Sequence, residues 1–375
     1  MYISFSHILI IVVISNLYFS LGGYLFLRSL CRAVAGKTGR KIPVWIYWPI
    51  AFLGLFLYFY FRLNAGGLRG WFGLMSSYWG IFLFIPFFIF SDIVCLGAFL
   101  LKAPQSFQLR IRAAALILIA GTFCVGSFSA RSTKVTDYAV AVEKPLPQNS
   151  LRIILISDTH IGSLIRKKQF DKLVKKINAL EGDIVLIAGD IIDRNLTVYR
   201  KEKISEEFSA IKATFGVYAV PGNHDFFGGY LEDLEKELAA AGVKLLIDEA
   251  VLLDDAFYII GRNDFSVDRR GIVRKPLNEL TEGLDASRLL ILMDHQPVNL
   301  GEAEKAGIDL QVSGHTHRGQ IWPASIITKR IYENHYGLLY KGKTAVIVTS
   351  GSGSWGPPLR IGTRSEIVRI ELTSR

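Results

Sequence analysis

The stretch Leu151-Arg152-Ile153-Ile154-Leu155-Ile156-Ser157-Asp158-Thr159-His160 passes directly from a β-branched apolar run into an Asp-x-His triplet. A short, near-continuous apolar run of this kind reads as a strand over 151–157 buried on both faces. The same sentence is repeated four more times. Gly189-Asp190 follows DIVLIA, Gly222-Asn223-His224-Asp225 follows VYAVP, Asp294-His295 follows LLILM, and Gly314-His315-Thr316-His317 follows DLQVS. Asp, Asn and His supply the oxygen and imidazole ligands that suit divalent first-row metals. A strand end holds a ligand on rigid backbone, and the strand ends of one sheet open on one crevice. Ligands roughly 160 positions apart can therefore converge.

Outward from these motifs the pattern alternates between strand and helix. A helix near 165–180 presents Phe170, Leu173, Val174, Ile177 and Leu180 at helical spacing. Strand 183–188, a helix around 201–213, strand 216–220 and a helix near 229–241 follow. Further strands are expected at 243–247, 250–253, 256–260, 289–293 and 308–313, and again within 343–372 around the turn Gly351–Gly356. Strands buried on both faces and interleaved with helices predict an α/β fold, a layered β-sandwich flanked by helices, over 151–375. Lys144-Pro145-Leu146-Pro147 marks an extended linker, drawn here as 131–150.

The first third of the chain is of another kind. Apolar runs at 8–27, 44–61, 78–101 and 111–128 each approach the roughly 20 residues needed to cross a bilayer, which predicts a four-helix transmembrane region over 1–130. The first run lacks a basic n-region and a convincing cleavage site, so it reads as a retained helix. Asp92 falls within the third run, where a carboxylate is costly and takes a protein partner or lines a polar path. The loops 28–43 and 102–112 hold eight Lys/Arg, against four in 62–77 and 129–140. That bias predicts a cell-membrane, multi-pass protein with both termini, and so the catalytic half, on the non-cytoplasmic side.

The net charge of +10 belongs to the same region. Residues 1–140 contain 12 Lys/Arg and only two acids, Asp92 and Asp137, which leaves 31 of each sign from 141 onward. A balanced second half argues against strong nucleic-acid binding, because phosphate contacts are made by Lys and Arg. Cys31, Cys95 and Cys124 all lie in or beside the apolar runs, so neither a disulfide framework nor a cysteine-based metal site is expected beyond them.

Taken together, the five motifs in this order resemble the calcineurin-like metallophosphoesterase superfamily over about 145–375. The segments GHTHRGQIWP at 314–323 and SGSGSWGPPLRIGTRSEIV at 350–368 are similar to its YkuE/YaeI-like branch. The apolar runs are similar to those of transmembrane proteins with a metallophosphoesterase domain. The resemblance implies two divalent ions (Mn, Fe, Zn or Mg) and a role for each position. Asp158, His160 and His317 would bind one ion, Asn223, His295 and His315 the other, and Asp190 both. A bridging hydroxide would attack phosphorus while the ions clamp its oxygens. His224 matches the family's substrate-facing histidine and would protonate the leaving group. Asp193 and Asp225 read equally as carboxylates that orient ligands and as turn caps. Arg318 departs from the branch, which has glycine after the last motif histidine. It reads equally as a bidentate phosphate contact and as an exposed residue at the rim. Arg262 is a further phosphate-contact candidate.

The expectation is a membrane-anchored, metal-dependent phosphoric ester hydrolase whose partners are the lipid bilayer and a phosphate-containing substrate. A lipid-linked phosphate ester or pyrophosphate is one candidate, and the substrate itself is left open. A small-nucleotide phosphodiesterase needs few contacts and stays open. A non-catalytic membrane sensor with the same fold predicts lost ligands, and all eight positions are filled by competent residues.

Overall fold

In this computed structural model the described residues are 104–374, apart from 163, 164, 194 and 357, together with 93, 94 and 97. The chain divides into two compact units, Met1–Val125 and Gly126–Arg375, and the second carries the five motifs. The expected spans 8–27 and 44–61 lie outside the described residues, as does nearly all of 78–101, Asp92 included. The fourth expected span falls inside helix α1 (Gln105–Arg131). Among the described residues no helix is long and apolar enough to cross a membrane.

The second unit is built on two six-stranded sheets. The first sheet comprises β1 (Lys134–Val142), β2 (Ser150–Ile156), β3 (Ile184–Ala188), β4 (Val217–Val220), β5 (Val243–Leu245) and, arriving last, β12 (Glu366–Ser374). Its order is β1-β12-β2-β3-β4-β5. Strands β2 to β5 run parallel, and β12 is antiparallel to β2. The second sheet comprises β6 (Glu249–Leu253), β7 (Phe257–Gly261), β8 (Leu289–Met293), β9 (Leu310–Ser313), β10 (Gly337–Lys341) and β11 (Thr344–Val348). Its order is β10-β11-β9-β8-β7-β6, with β7, β8, β9 and β11 parallel.

The two-residue period of a strand explains the layers. In β2, Ile153 and Leu155 join Ile259, Ile291 and Val312 of the other sheet in one core, while Ile154 and Ile156 face the helices. There they meet α2 (Lys167–Asn178), whose Phe170, Leu173, Val174 and Ile177 form the expected apolar stripe. They also meet α3 (Thr197–Lys201), α4 (Ser205–Ser209) and α5 (Leu231–Ala240). The outer face of the second sheet is covered by α6 (Leu277–Thr281) and α7 (Leu300–Lys305), through Leu277, Leu280 and Leu300. The α/β layered sandwich is thus as expected.

Two local expectations differ. The helix around 201–213 is two short helices, α3 and α4, separated by Lys203 at a positive φ of 52°. Within the segment drawn as linker, residues 134–142 form edge strand β1, paired parallel with β12 over all nine residues. Its alternation is weak because one side is half exposed, and its partner lies more than 200 residues away.

Candidate active site

Parallel pairing brings the motifs to one edge. Ile156 pairs with Ile187 and Ala188 with Val220, so the turns after β2, β3 and β4 leave side by side. Met293 pairs with Val312 in the second sheet, which places the turns after β8 and β9 together. Backbone hydrogen bonds then tie turn to turn. Asp158 N donates to Gly189 O (2.9 Å), His160 N to Asp190 O (3.0 Å) and Gly314 N to His295 O (3.0 Å).

The turns approach so closely that side chains are excluded at particular positions. A Cβ at Gly222 would collide with the carboxylate and backbone nitrogen of Asp190, and one at Gly314 with Ser157 and Asp158. Asp158, His160, Asp190, His315 and His317 all have positive φ, between 45° and 67°. A left-handed residue other than glycine costs of order 1 kcal/mol, and such strain concentrates at functional sites. Here it turns five side chains into one crevice.

Two trios result. Asp158, His160 and His317 offer ligand atoms within 4.8 Å of one another, and so do Asp190, His295 and His315. In the first, His317 Nε2 lies 3.3 Å from Asp158 Oδ1 and 3.1 Å from His160 Nε2. In the second, His295 Nε2 lies 3.3 Å from Asp190 Oδ2. The same Asp190 oxygen is 3.7 Å from His160 Nε2, so this carboxylate stands between the trios.

The protonation states suit cations. Burial pushes His160 and His315 down to about 4 and His317 well below its ordinary value, so these imidazoles are neutral near pH 7, the form that binds metal. Burial pushes Asp158 up to about 6. Burial opposes charge on Asp190 as well, yet His295, His160 and His224 around it hold the carboxyl well below its usual range. His295 Nδ1–H donates to Ala188 O (2.7 Å), which aims Nε2 inward. A buried Asn223 Oδ1 and the buried His295 Nε2 have no hydrogen-bond partner in the protein. An orphaned Asn223 oxygen beside the neutral imidazoles of His160, His315 and His317 and the carboxylates is the donor set that divalent cations take. His295, whose pKa burial lowers but Asp190 holds well above its ordinary value, would give up its proton to such a cation.

His224 sits beside this set. Its backbone N–H donates to Asp190 Oδ1 (2.8 Å), and its Nδ1 faces the Asp193 carbonyl (3.0 Å) and carboxylate (3.4 Å). Burial lowers its pKa, but the bonds to Asp193 outweigh this and the net shift is upward. Asp225 accepts from the N–H groups of Gly222 (2.8 Å), Ile191 (3.2 Å) and Ile192 (2.9 Å), so it staples the β4 turn to the β3 turn.

The two arginines are placed differently from the histidines. Arg262 is buried and directed to Asp294 (3.4 Å), Glu302 (2.9 Å) and the Lys275 carbonyl (3.4 Å). Arg274 also pairs with Asp294. Arg262 is thus engaged with protein carboxylates behind the β8 turn rather than presented to a phosphate. Arg318 has its guanidinium 4.2 Å above the Tyr336 ring.

A scan against family models matches the calcineurin-like phosphoesterases over residues 151–319, the segment that carries all five motifs. Residues 151–319 form a calcineurin-like phosphoesterase domain. Such domains belong to metal-dependent phosphoester hydrolases. A Helicobacter pylori metallophosphoesterase is 35% identical over 59% of this chain and 60% of its own length. A Campylobacter jejuni metallophosphoesterase is 28% identical over 94% of this chain and 95% of its own. The zebrafish transmembrane protein with metallophosphoesterase domain is 29% identical, over 93% of this chain and 85% of its own.

The phosphoesterase site also uses a residue the sequence reading passed over. Arg360 is almost fully buried, and its Nη2 donates to the carbonyls of Ser350 (2.7 Å), Gly351 (3.1 Å) and Gly353 (2.6 Å). The same nitrogen lies 3.3 Å from His317 Nδ1. Arg360 therefore gathers the Gly-rich turn behind the first trio. An arginine two residues after the Gly356-Pro357-Pro358 stretch was the available signal.

Proposed function

We propose that this chain is a membrane-anchored phosphoesterase that uses two divalent ions to hydrolyse a lipid-linked phosphate ester or pyrophosphate. The observation that carries this reading is the carboxylate of Asp190 standing between two Asp/His trios. Asp158, His160 and His317 would hold one ion, Asn223, His295 and His315 the other, with Asp190 shared. When bound, such ions supply an acidified water and a positive field for the phosphoryl oxygens.

The protein's own groups do the rest. The strained turns hold the ligands at fixed separations before any substrate arrives, so little reorganisation is needed. Asp193 engages His224 at Nδ1, which leaves Nε2 to hold a proton for the departing oxygen. The aromatic rings of Phe227 and Trp355, 4.7 and 6.4 Å from the His224 ring, limit water on that side.

Membrane attachment is supported by the apolar runs at 8–27, 44–61 and 78–101 and by similarity over most of the chain to a protein named as transmembrane. The helix that holds the fourth run is not long and apolar enough to add to that support. Counted over four spans, the Lys/Arg bias favours a non-cytoplasmic catalytic domain; counted over the first three alone, it favours the cytoplasmic side. The test is hydrolysis of bis-p-nitrophenyl phosphate, p-nitrophenyl phosphate and pyrophosphate by the full-length protein in detergent with Mn²⁺. Activity on at least one is expected; none on any would sink the reading and favour a sensor. A C-terminal reporter active on one side of the membrane only decides the orientation.

A further inference from the structure

Helix α8 (Ala324–Ile331) follows the β9 turn that carries His315 and His317, and none of its residues is buried. Ile326, Ile327 and Ile331 are 47, 58 and 67% exposed, and Trp322 just before the helix is 60% exposed. An eight-residue helix is too short to be stable alone, and several large apolar side chains exposed on one short segment mark a surface that binds something. The helix is nonetheless firmly fastened to the site. Gly319 lies so close to the Ser325 backbone that a Cβ there would collide, and Trp322 N–H donates to Ile361 O (2.9 Å). Thr328 Oγ1 lies 3.3 Å from His335 Nδ1, and the same turn donates Thr316 Oγ1 to His335 O (2.7 Å).

The charge around the patch points to its occupant. From Gly314 to Tyr332 the sequence has no Asp or Glu but has Arg318, Lys329 and Arg330. Exposed isoleucine and tryptophan interleaved with Lys329 and Arg330 suit the interface of an anionic bilayer, where the apolar side chains enter the acyl boundary and the basic ones reach the headgroups. A two-fold contact with a second copy would set Lys329 and Arg330 near their own equivalents, which costs energy. The apolar border also continues toward the cleft. Gln320 exchanges hydrogen bonds with the Trp355 backbone (2.7 and 2.9 Å), and Trp355 contacts the His224 ring.

We propose that α8 with Trp322 is a membrane-docking face that holds the mouth of the metal site against an anionic lipid surface, so that the phosphate attacked is a lipid headgroup phosphate. The inference rests on the membrane attachment proposed above. Its test reads depth rather than turnover, so it can fail while the phosphoesterase reading stands, and the reverse.

The experiment uses full-length protein with Cys31→Ser, Cys95→Ser and Cys124→Ser, reconstituted into phosphatidylcholine vesicles containing phosphatidylglycerol. Nitroxide labels are placed by Ile327→Cys, Ile331→Cys or, as an aqueous reference on exposed α5, Glu235→Cys. Flotation with the vesicles establishes attachment. The expected result is that labels at 327 and 331 lose collisions with a nickel chelate and keep them with oxygen, while the label at 235 meets both. Nickel accessibility at 327 and 331 equal to that at 235, in floated protein, overturns the inference. So does exclusion of both relaxants, which means cover by protein, with spin–spin broadening if that protein is a second copy.

Discussion

The imidazole Nε2 atoms of His160 and His317, 157 positions apart in sequence, lie 3.1 Å from one another in the buried crevice. Burial keeps both rings uncharged near neutral pH, and the Asp158 carboxylate is 3.3 Å from one of them. Two lone pairs and a carboxylate directed at one point suit a cation. Removing divalent ions with a chelator should therefore abolish hydrolysis and lower the melting temperature. A ligand at a hundred times its dissociation constant stabilises by about 2.7 kcal/mol, which is roughly 5–10 °C for a unit of this size. Mn²⁺ should restore both; an unchanged melting temperature on chelation would count against a bound metal.

His224 and Asn223 are neighbours with different proposed tasks. His224→Gln should lower kcat by about 10²–10⁴, the usual worth of a positioned acid, with metal content unchanged. Asn223→Ala should instead lower metal content. Elemental analysis beside kinetics separates the two. If His224→Gln loses metal as fully as Asn223→Ala, then His224 is a ligand, as its place in a third trio with His160 and Asp190 would allow.

Gly222 and Gly301 make a matched pair. A Cβ at 222 meets Asp190, whereas one at 301, in α7, meets nothing nearer than Lys341 Cε at 3.6 Å. Gly301→Ala should be neutral or stabilising by up to about 1 kcal/mol, since alanine restricts the unfolded chain and favours helix. Gly222→Ala should displace the carboxylate shared by both trios and cost activity about 10²-fold or more, the scale of an ångström's misplacement. Equal activity of the two variants would mean that the Asp190 position is not critical.

Arg360→Met should strip the Ser350 and Gly353 carbonyls of their donor, while the Gly351 carbonyl keeps the Glu366 N–H (3.0 Å). Unsatisfied buried groups cost about 1–3 kcal/mol each, with partial relief from water, so a loss of about 3 kcal/mol is expected in chemical denaturation. Arg360→Lys keeps the charge but not the fork geometry and should recover only part of it. A Met variant as stable as the parent would show that the Gly-rich turn holds itself.

Much of this protein is local in origin and hence legible in the sequence. The strand-then-ligand pattern around Asp158, Asp190, Asn223, His295 and His315 depends on runs of five to seven residues. The α2 stripe of Phe170, Leu173, Val174 and Ile177 depends on helical period alone. These fixed the layered α/β fold and named the residues that the crevice gathers. What tertiary structure decided is long-range. Strand β1 exists because β12 returns beside it, so its own sequence reads as linker. Arg262 faces Asp294 and Glu302 rather than a phosphate because a buried guanidinium takes the nearest carboxylates. Arg360 matters because folding sets three carbonyls and His317 around it. Local propensity writes which residues stand at strand ends. Only the pairing of strands far apart in sequence determines which of those ends meet, and at what distance.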